Sequence, residues 1–170
     1  MSYFEKVSEF HRVFDPNESE EIRTLSDQEA EYRTSFKLEE LIEFLYAASD
    51  GDNDLFDSFI AGLHDQMDQQ AEKIKKQPPV HSDKLVGEVD ALIDLLYFTF
   101  GTFVKMGINP EPIFDIVHAA NMGKLFPDGQ PHYHDVTGKV LKPDNWERDF
   151  APELKIKAAV RQQQNKSVSD

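Results

Sequence analysis

No cysteine occurs among the 170 residues of this chain, which excludes a disulfide framework, a thiolate metal site and a cysteine nucleophile. A cytoplasmic, reducing compartment is therefore expected. Basic residues are scarce as well: 18 Lys and Arg stand against 32 Asp and Glu, a formal charge of -14. Such a field repels a nucleic-acid backbone, so no nucleic-acid partner is expected. It also repels a free nucleotide unless divalent cations or a local basic patch invert the potential. Long apolar runs are missing too. The most apolar stretch, Ala91 to Phe100, is short for a bilayer and carries Asp94. Met1 to Phe14 contains Glu5, Lys6, Glu9, His11 and Arg12, and so lacks the apolar core of a secretory signal. Neither a membrane partner nor export is expected.

What is present is helical patterning. Phe4, Val7, Phe10, Val13 and Phe14 recur at helical spacing and stop before Asp15-Pro16. Ser26 or Asp27 can cap a second helix to about Ser49, with Tyr32, Phe36, Leu38, Leu41, Ile42 and Leu45 as its stripe. Asp50-Gly51-Asp52-Asn53 breaks it. A third helix is predicted over Leu55 to Lys75, stopped by Gln77-Pro78-Pro79, a fourth over Asp83 to Met106, and a fifth from Asn109-Pro110 to about Asn121. The first 125 residues show no strand periodicity. From Phe126 to Phe150 turn residues dominate, and Asp135-Val136-Thr137-Gly138 suggests a small hairpin. A short helix near Glu153 to Val160 and a frayed polar tail close the chain. The expectation is an all-α bundle of four to six helices with a loop-rich C-terminal segment. Residues 1–150 would form one domain, large enough to bury a core, and residues 151–170 an appendage.

Between Leu38 and Glu72 there is no Lys or Arg, yet Glu39, Glu40, Glu43, Asp50, Asp52, Asp54, Asp57, Asp65, Asp68 and Glu72 all fall there. Glu39 and Glu43 are four apart and Glu40 and Glu43 three apart, so these carboxylates share one edge of a helix. They are either a solvated acidic face or ligands gathered around a cation. Asp94 sits in Ala91-Leu92-Ile93-Asp94-Leu95-Leu96-Tyr97-Phe98, apolar on nearly all sides, which makes this helix look central and Asp94 look buried. A buried carboxylate needs a partner: an arginine, a hydrogen-bond network, or a metal shared with Asp90 one turn earlier. Oxygen ligands from facing helices suit Mg²⁺ or Mn²⁺.

Glu39-Glu40-x-x-Glu43 followed by Asp94-Leu95-Leu96-Tyr97 resembles the acidic signature of the all-α NTP pyrophosphatases, the group of MazG, dimeric dUTPases and phosphoribosyl-ATP pyrophosphohydrolase. Glu9-Phe10-His11-Arg12-Val13, His118-Ala119-Ala120-Asn121-Met122-Gly123-Lys124 and Gly138-Lys139-Val140-Leu141-Lys142-Pro143-Asp144-Asn145-Trp146 are similar to one bacterial, MazG-like branch. The second acidic motif departs from the usual E-x-x-D, because Ala91 stands three before Asp94; Asp90 or Glu88 would have to substitute.

The resemblance implies a nucleoside triphosphate pyrophosphohydrolase releasing monophosphate and pyrophosphate. Glu40, Glu43 and Asp94, with Asp90, would hold Mg²⁺ or Mn²⁺, and Glu39 would orient or deprotonate the attacking water. Asn121 and Lys124 would meet sugar and phosphate, with Lys142 and Lys139 folding over the phosphates. His11 and Tyr97 would border base and sugar, although Tyr97 reads equally as a core tyrosine and Lys124 as a residue answering the helix dipole. Relatives of this type are homodimers or homotetramers. The rival reading is a non-catalytic acidic helical module that binds nucleotide or a basic protein. Two further patterns are set aside: Asp50, Asp52 and Asp54 lack the glycine and glutamate of a calcium loop, and His132-Tyr133-His134-Asp135 lacks a further spaced ligand.

Overall fold

The computed structural model describes residues 1–15, 21–77 and 83–167. Among them are six helices of at least 12 residues and one single-turn helix: α1 (Tyr3–Phe14), α2 (Asp27–Ala48), α3 (Asn53–Lys75), α4 (Lys84–Met106), α5 (Glu111–Met122), α6 (Trp146–Asp149) and α7 (Glu153–Ser167). No strand is present among the described residues beyond an isolated antiparallel bridge, Tyr133 to Val140. The architecture is all-α. The stops assigned to Pro16 and to Pro78-Pro79 lie outside the described residues.

Local chemistry explains the helix starts. Ser26 Oγ accepts from the Glu29 N–H while the Glu29 carboxylate accepts from the Ser26 N–H, a closed capping box; Ser2 and Glu5 do the same for α1. Asp52 caps α3 by accepting from the Leu55 N–H, so the acidic turn is spent on capping. The turn before it is left-handed, with Asp50 at φ 50° and Gly51 at φ 84°. Pro110 precedes the first residue of α5, where a missing N–H is harmless. The closing helix reaches Ser167, longer than the predicted stretch, because Gln163 clasps Asn109 with both amide atoms, at 2.8 and 2.9 Å.

The chain falls into two compact units, Ile22–Ile93 and Met1–Glu21 with Asp94–Asp170. In the first, α2 packs along α3, and Tyr46 meets Phe56 edge-on. Lys84 Nζ donates to the Leu25 carbonyl at 2.8 Å and Glu88 accepts from the Leu25 N–H at 3.3 Å, tying the start of α4 to the segment before α2. In the second unit α1 and α7 both pack on α5. Phe14 is 1% exposed with Phe10 stacked on it, Tyr3 meets Phe100 and Phe114, and Lys6 pairs with Asp115.

One expectation is overturned. The middle of α4 is exposed: Leu92 is 41%, Leu96 55%, Phe98 69% and Tyr97 74% accessible, and Asp94 is exposed with them. The sequence shows that the middle of this helix is apolar on nearly all sides but not what covers it, and those side chains stay open among the described residues.

Candidate active site

The acids of the first motif stand on the second half of α2. Glu39, Glu40 and Glu43 are all exposed, one edge of a helix that has no basic residue in its last turn. Asp90 and Asp94 repeat this on α4 at a spacing of four, also exposed. Among the described residues no three acid or imidazole side chains stand close enough to hold a metal ion. The donor set itself is hard oxygen throughout, and its α2 members lie in a stretch, Leu38 to Glu72, with no lysine or arginine; oxygen donors match the ligand chemistry of Mg²⁺ or Mn²⁺.

The residue able to replace Ala91 is narrowed. Glu88 already accepts from the Leu25 N–H and lies 3.5 Å from Lys84 Nζ, so its carboxylate is committed to holding α4. Asp90 makes no such contact among the described residues.

The nucleotide-facing candidates cluster around the end of α5. Asn121 lies in its last turn, and the Lys124 N–H donates to the Asn121 carbonyl at 3.1 Å. That bond tightens the terminus and leaves the Ala120 carbonyl without its usual partner four residues on. The Trp146 Nε1–H fills the vacancy, donating to Ala120 O at 2.8 Å with the indole 5% exposed. Lys142 Nζ rests 3.8 Å from the centre of the Trp146 ring, a cation–π contact. The tail is thereby pinned to the helix that carries Asn121 and Lys124. In the sequence Trp146 stands out as the end of the tail motif; its bond to Ala120 is what the structure adds.

Other side chains are accounted for locally. His11 Nδ1 lies 2.7 Å from Asp15, and His118 Nε2 lies 3.2 Å from Glu9 across the α1–α5 packing. Tyr97 is mostly exposed and meets Phe98 edge-on, so it is not a core tyrosine within the chain. His132 stacks on Phe126 at 4.0 Å and pairs with Asp128. The Gln130 N–H, foremost, and the bond from His132 hold the Asp128 carboxyl below its ordinary value. His134 Nδ1 accepts from the Val136 and Thr137 N–H groups. Both loop histidines thus serve the turn.

Residues 7–121 match the family described as phosphoribosyl-ATP pyrophosphohydrolase. The chain belongs to that family. A crystal structure of a candidate NTP pyrophosphohydrolase from Exiguobacterium sp. 255-15 is similar at 35% identity and a TM-score of 0.87, covering 98% of each chain. No curated protein matches. Together these set the pyrophosphohydrolase family member within the all-α NTP pyrophosphatases. The family match contains Glu39, Glu40, Glu43, Asp90 and Asp94 and stops at Asn121; Lys142 and Trp146 fall beyond it, inside the span shared with the Exiguobacterium protein.

Proposed function

We propose that this pyrophosphohydrolase acts on a nucleoside or deoxynucleoside triphosphate with Mg²⁺ or Mn²⁺, releasing the monophosphate and pyrophosphate. The observation that carries the reading is the edge of Glu39, Glu40 and Glu43 on α2, inside a stretch from Leu38 to Glu72 without a basic residue. Glu40, Glu43, Asp90 and Asp94 would hold the metal, which when bound neutralises phosphate charge and acidifies a water. Glu39 takes the proton of the attacking water. The water oxygen bonds to the α-phosphorus, the bond from that phosphorus to the bridging oxygen breaks, and pyrophosphate leaves. Lys124 and Lys142 balance charge on the phosphates, which a chain of net charge -14 cannot otherwise attract. Asn121 donates to sugar or phosphate, and His11 and Tyr97 border base and sugar. The open apolar α4 supports a second copy of the chain as partner, since surfaces of this kind mark interfaces.

Incubation with each NTP and dNTP, dUTP and phosphoribosyl-ATP, under Mg²⁺, Mn²⁺ or chelator, tests the reading. Cation-dependent formation of both monophosphate and pyrophosphate is expected, abolished by chelator. Ala91 in the second acidic motif favours the alternative of nucleotide binding without turnover; recovery of every nucleotide intact would decide for it.

A further inference from the structure

We infer that Trp146 is a positioning residue for the phosphate-binding lysines, acting through Lys142 and through the end of α5 at once. This deepens the pyrophosphohydrolase reading and rests on it. The indole makes two contacts of different kinds. Its N–H satisfies Ala120 O, a helix-end carbonyl left open because the Lys124 N–H turns to Asn121. Its face carries the Lys142 ammonium at 3.8 Å. Lys142 itself is exposed, so its remaining donors point to solvent and can meet an anion without leaving the ring.

The support beneath the indole is rigid. The Trp146 N–H donates to the Pro143 carbonyl at 2.9 Å, and the Trp146 carbonyl accepts from Phe150 and Ala151 at 2.8 and 3.1 Å. Phe150 lies against Gly123, where a Cβ would come within 2.2 Å of the ring's Cγ. Upstream, Tyr133 Oη donates to the Phe14 carbonyl at 2.5 Å, and the Leu141 N–H donates to the His132 carbonyl at 2.8 Å. A loop held at both sides can hold a lysine in place; an unsupported loop lysine would spend most of its time in solvent.

The chain has one tryptophan, so its fluorescence reports Trp146 alone. Titration with inorganic pyrophosphate and Mg²⁺ is expected to change that emission saturably in the wild type. Lys142→Met should flatten the response and Lys142→Arg restore it, because a guanidinium also stacks on the ring. A wild type without response, or an undiminished response in Lys142→Met, overturns the proposal. Both arms are independent of turnover, so failure of the catalytic reading is seen separately as absence of product.

Where nucleotide is turned over, Trp146→Leu should raise KM about two- to five-fold with kcat little changed, the size of an exposed cation–π contact. Trp146→Phe, which keeps an aromatic face, should lie nearer wild type. In the Lys142→Met background Trp146→Leu should lose only what it contributes through the end of α5, so the combined loss falls short of the product of the two. Independent, multiplying losses would overturn the proposal. Should Trp146→Leu fail to fold, the Trp146→Phe pair decides by the same comparison.

Discussion

At Glu39, Glu40 and Glu43 three carboxylates share one helix edge, and no lysine or arginine follows them until Lys73. Two kinds of loss separate their roles. Glu39→Gln, if it removes the general base, should lower kcat about 10²–10⁴-fold while leaving the Mg²⁺ requirement unchanged. Glu43→Gln and Asp94→Asn should instead raise the Mg²⁺ concentration for half-maximal rate beyond the about 10–100-fold that losing an outer-shell partner costs. Circular dichroism should show the helices intact in all three, since each side chain is exposed. Rates like wild type across the series would detach the chemistry from these positions. Gly123 is a different case. Its φ is -66°, which any residue adopts, so its requirement is space: a Cβ would clash with the Phe150 ring. Gly123→Ala should cost about 1–3 kcal/mol of stability, measured by urea unfolding. Phe150→Leu in the same chain should return part of it.

Element by element, the helices were legible because each carries its own punctuation. Ser26 and Asp52 mark starts through bonds to residues three further on, Pro110 marks one by its missing N–H, and the structure places the caps there. The N-cap of α2 also makes a pH-dependent expectation. Arg23, foremost, and both Ser26 bonds hold the Glu29 carboxyl down to about 2 from an ordinary 4.5. A depressed carboxyl stabilises above its unfolded pKa, and that contribution is lost as pH falls through the folded value. The first turn of α2 should therefore lose helicity between about pH 4.5 and 2, followed as exchange protection of its amides. Arg23→Ala should move that loss to higher pH; an unchanged profile would mean the box alone sets it. The candidate site was legible in part for the same reason. Glu39, Glu40 and Glu43 share an edge through local spacing, whereas the hold of Trp146 on Ala120 spans 26 residues and leaves no period to find. The extension of α7 escaped prediction likewise, because its anchor is Gln163 against Asn109, 54 residues away.

At the scale of the whole molecule the unresolved cost is apolar surface. Leu92, Ile93, Leu95, Leu96, Tyr97 and Phe98 are each at least 41% exposed along α4, whereas monomers keep large apolar patches rare. Composition predicted that this helix would be covered and could not say by which chain. If a second copy covers it, Leu96→Ala should cost about 2–5 kcal/mol, as for a core leucine. If the side chain stays in water, the change should fall within about 0.5 kcal/mol. Leu96→Arg sharpens the contrast, because an isolated exposed charge is harmless while one buried between copies is not. Sedimentation velocity should show the wild type as a dimer or larger, and Leu96→Arg shifted toward monomer, with Val136→Arg in the exposed loop leaving the assembly unchanged. A wild-type monomer at every concentration, with Leu96→Ala neutral, would reject self-association. Asp94 would gain from an interface that reached Tyr97 and Phe98, which lie three and four residues on along its own face of α4. Covering those rings would draw its carboxylate out of bulk water and strengthen its pull on a divalent cation. Dilution below the dissociation constant should then lower activity and Mg²⁺ affinity together, whereas a site independent of assembly would keep its Mg²⁺ affinity as the copies part.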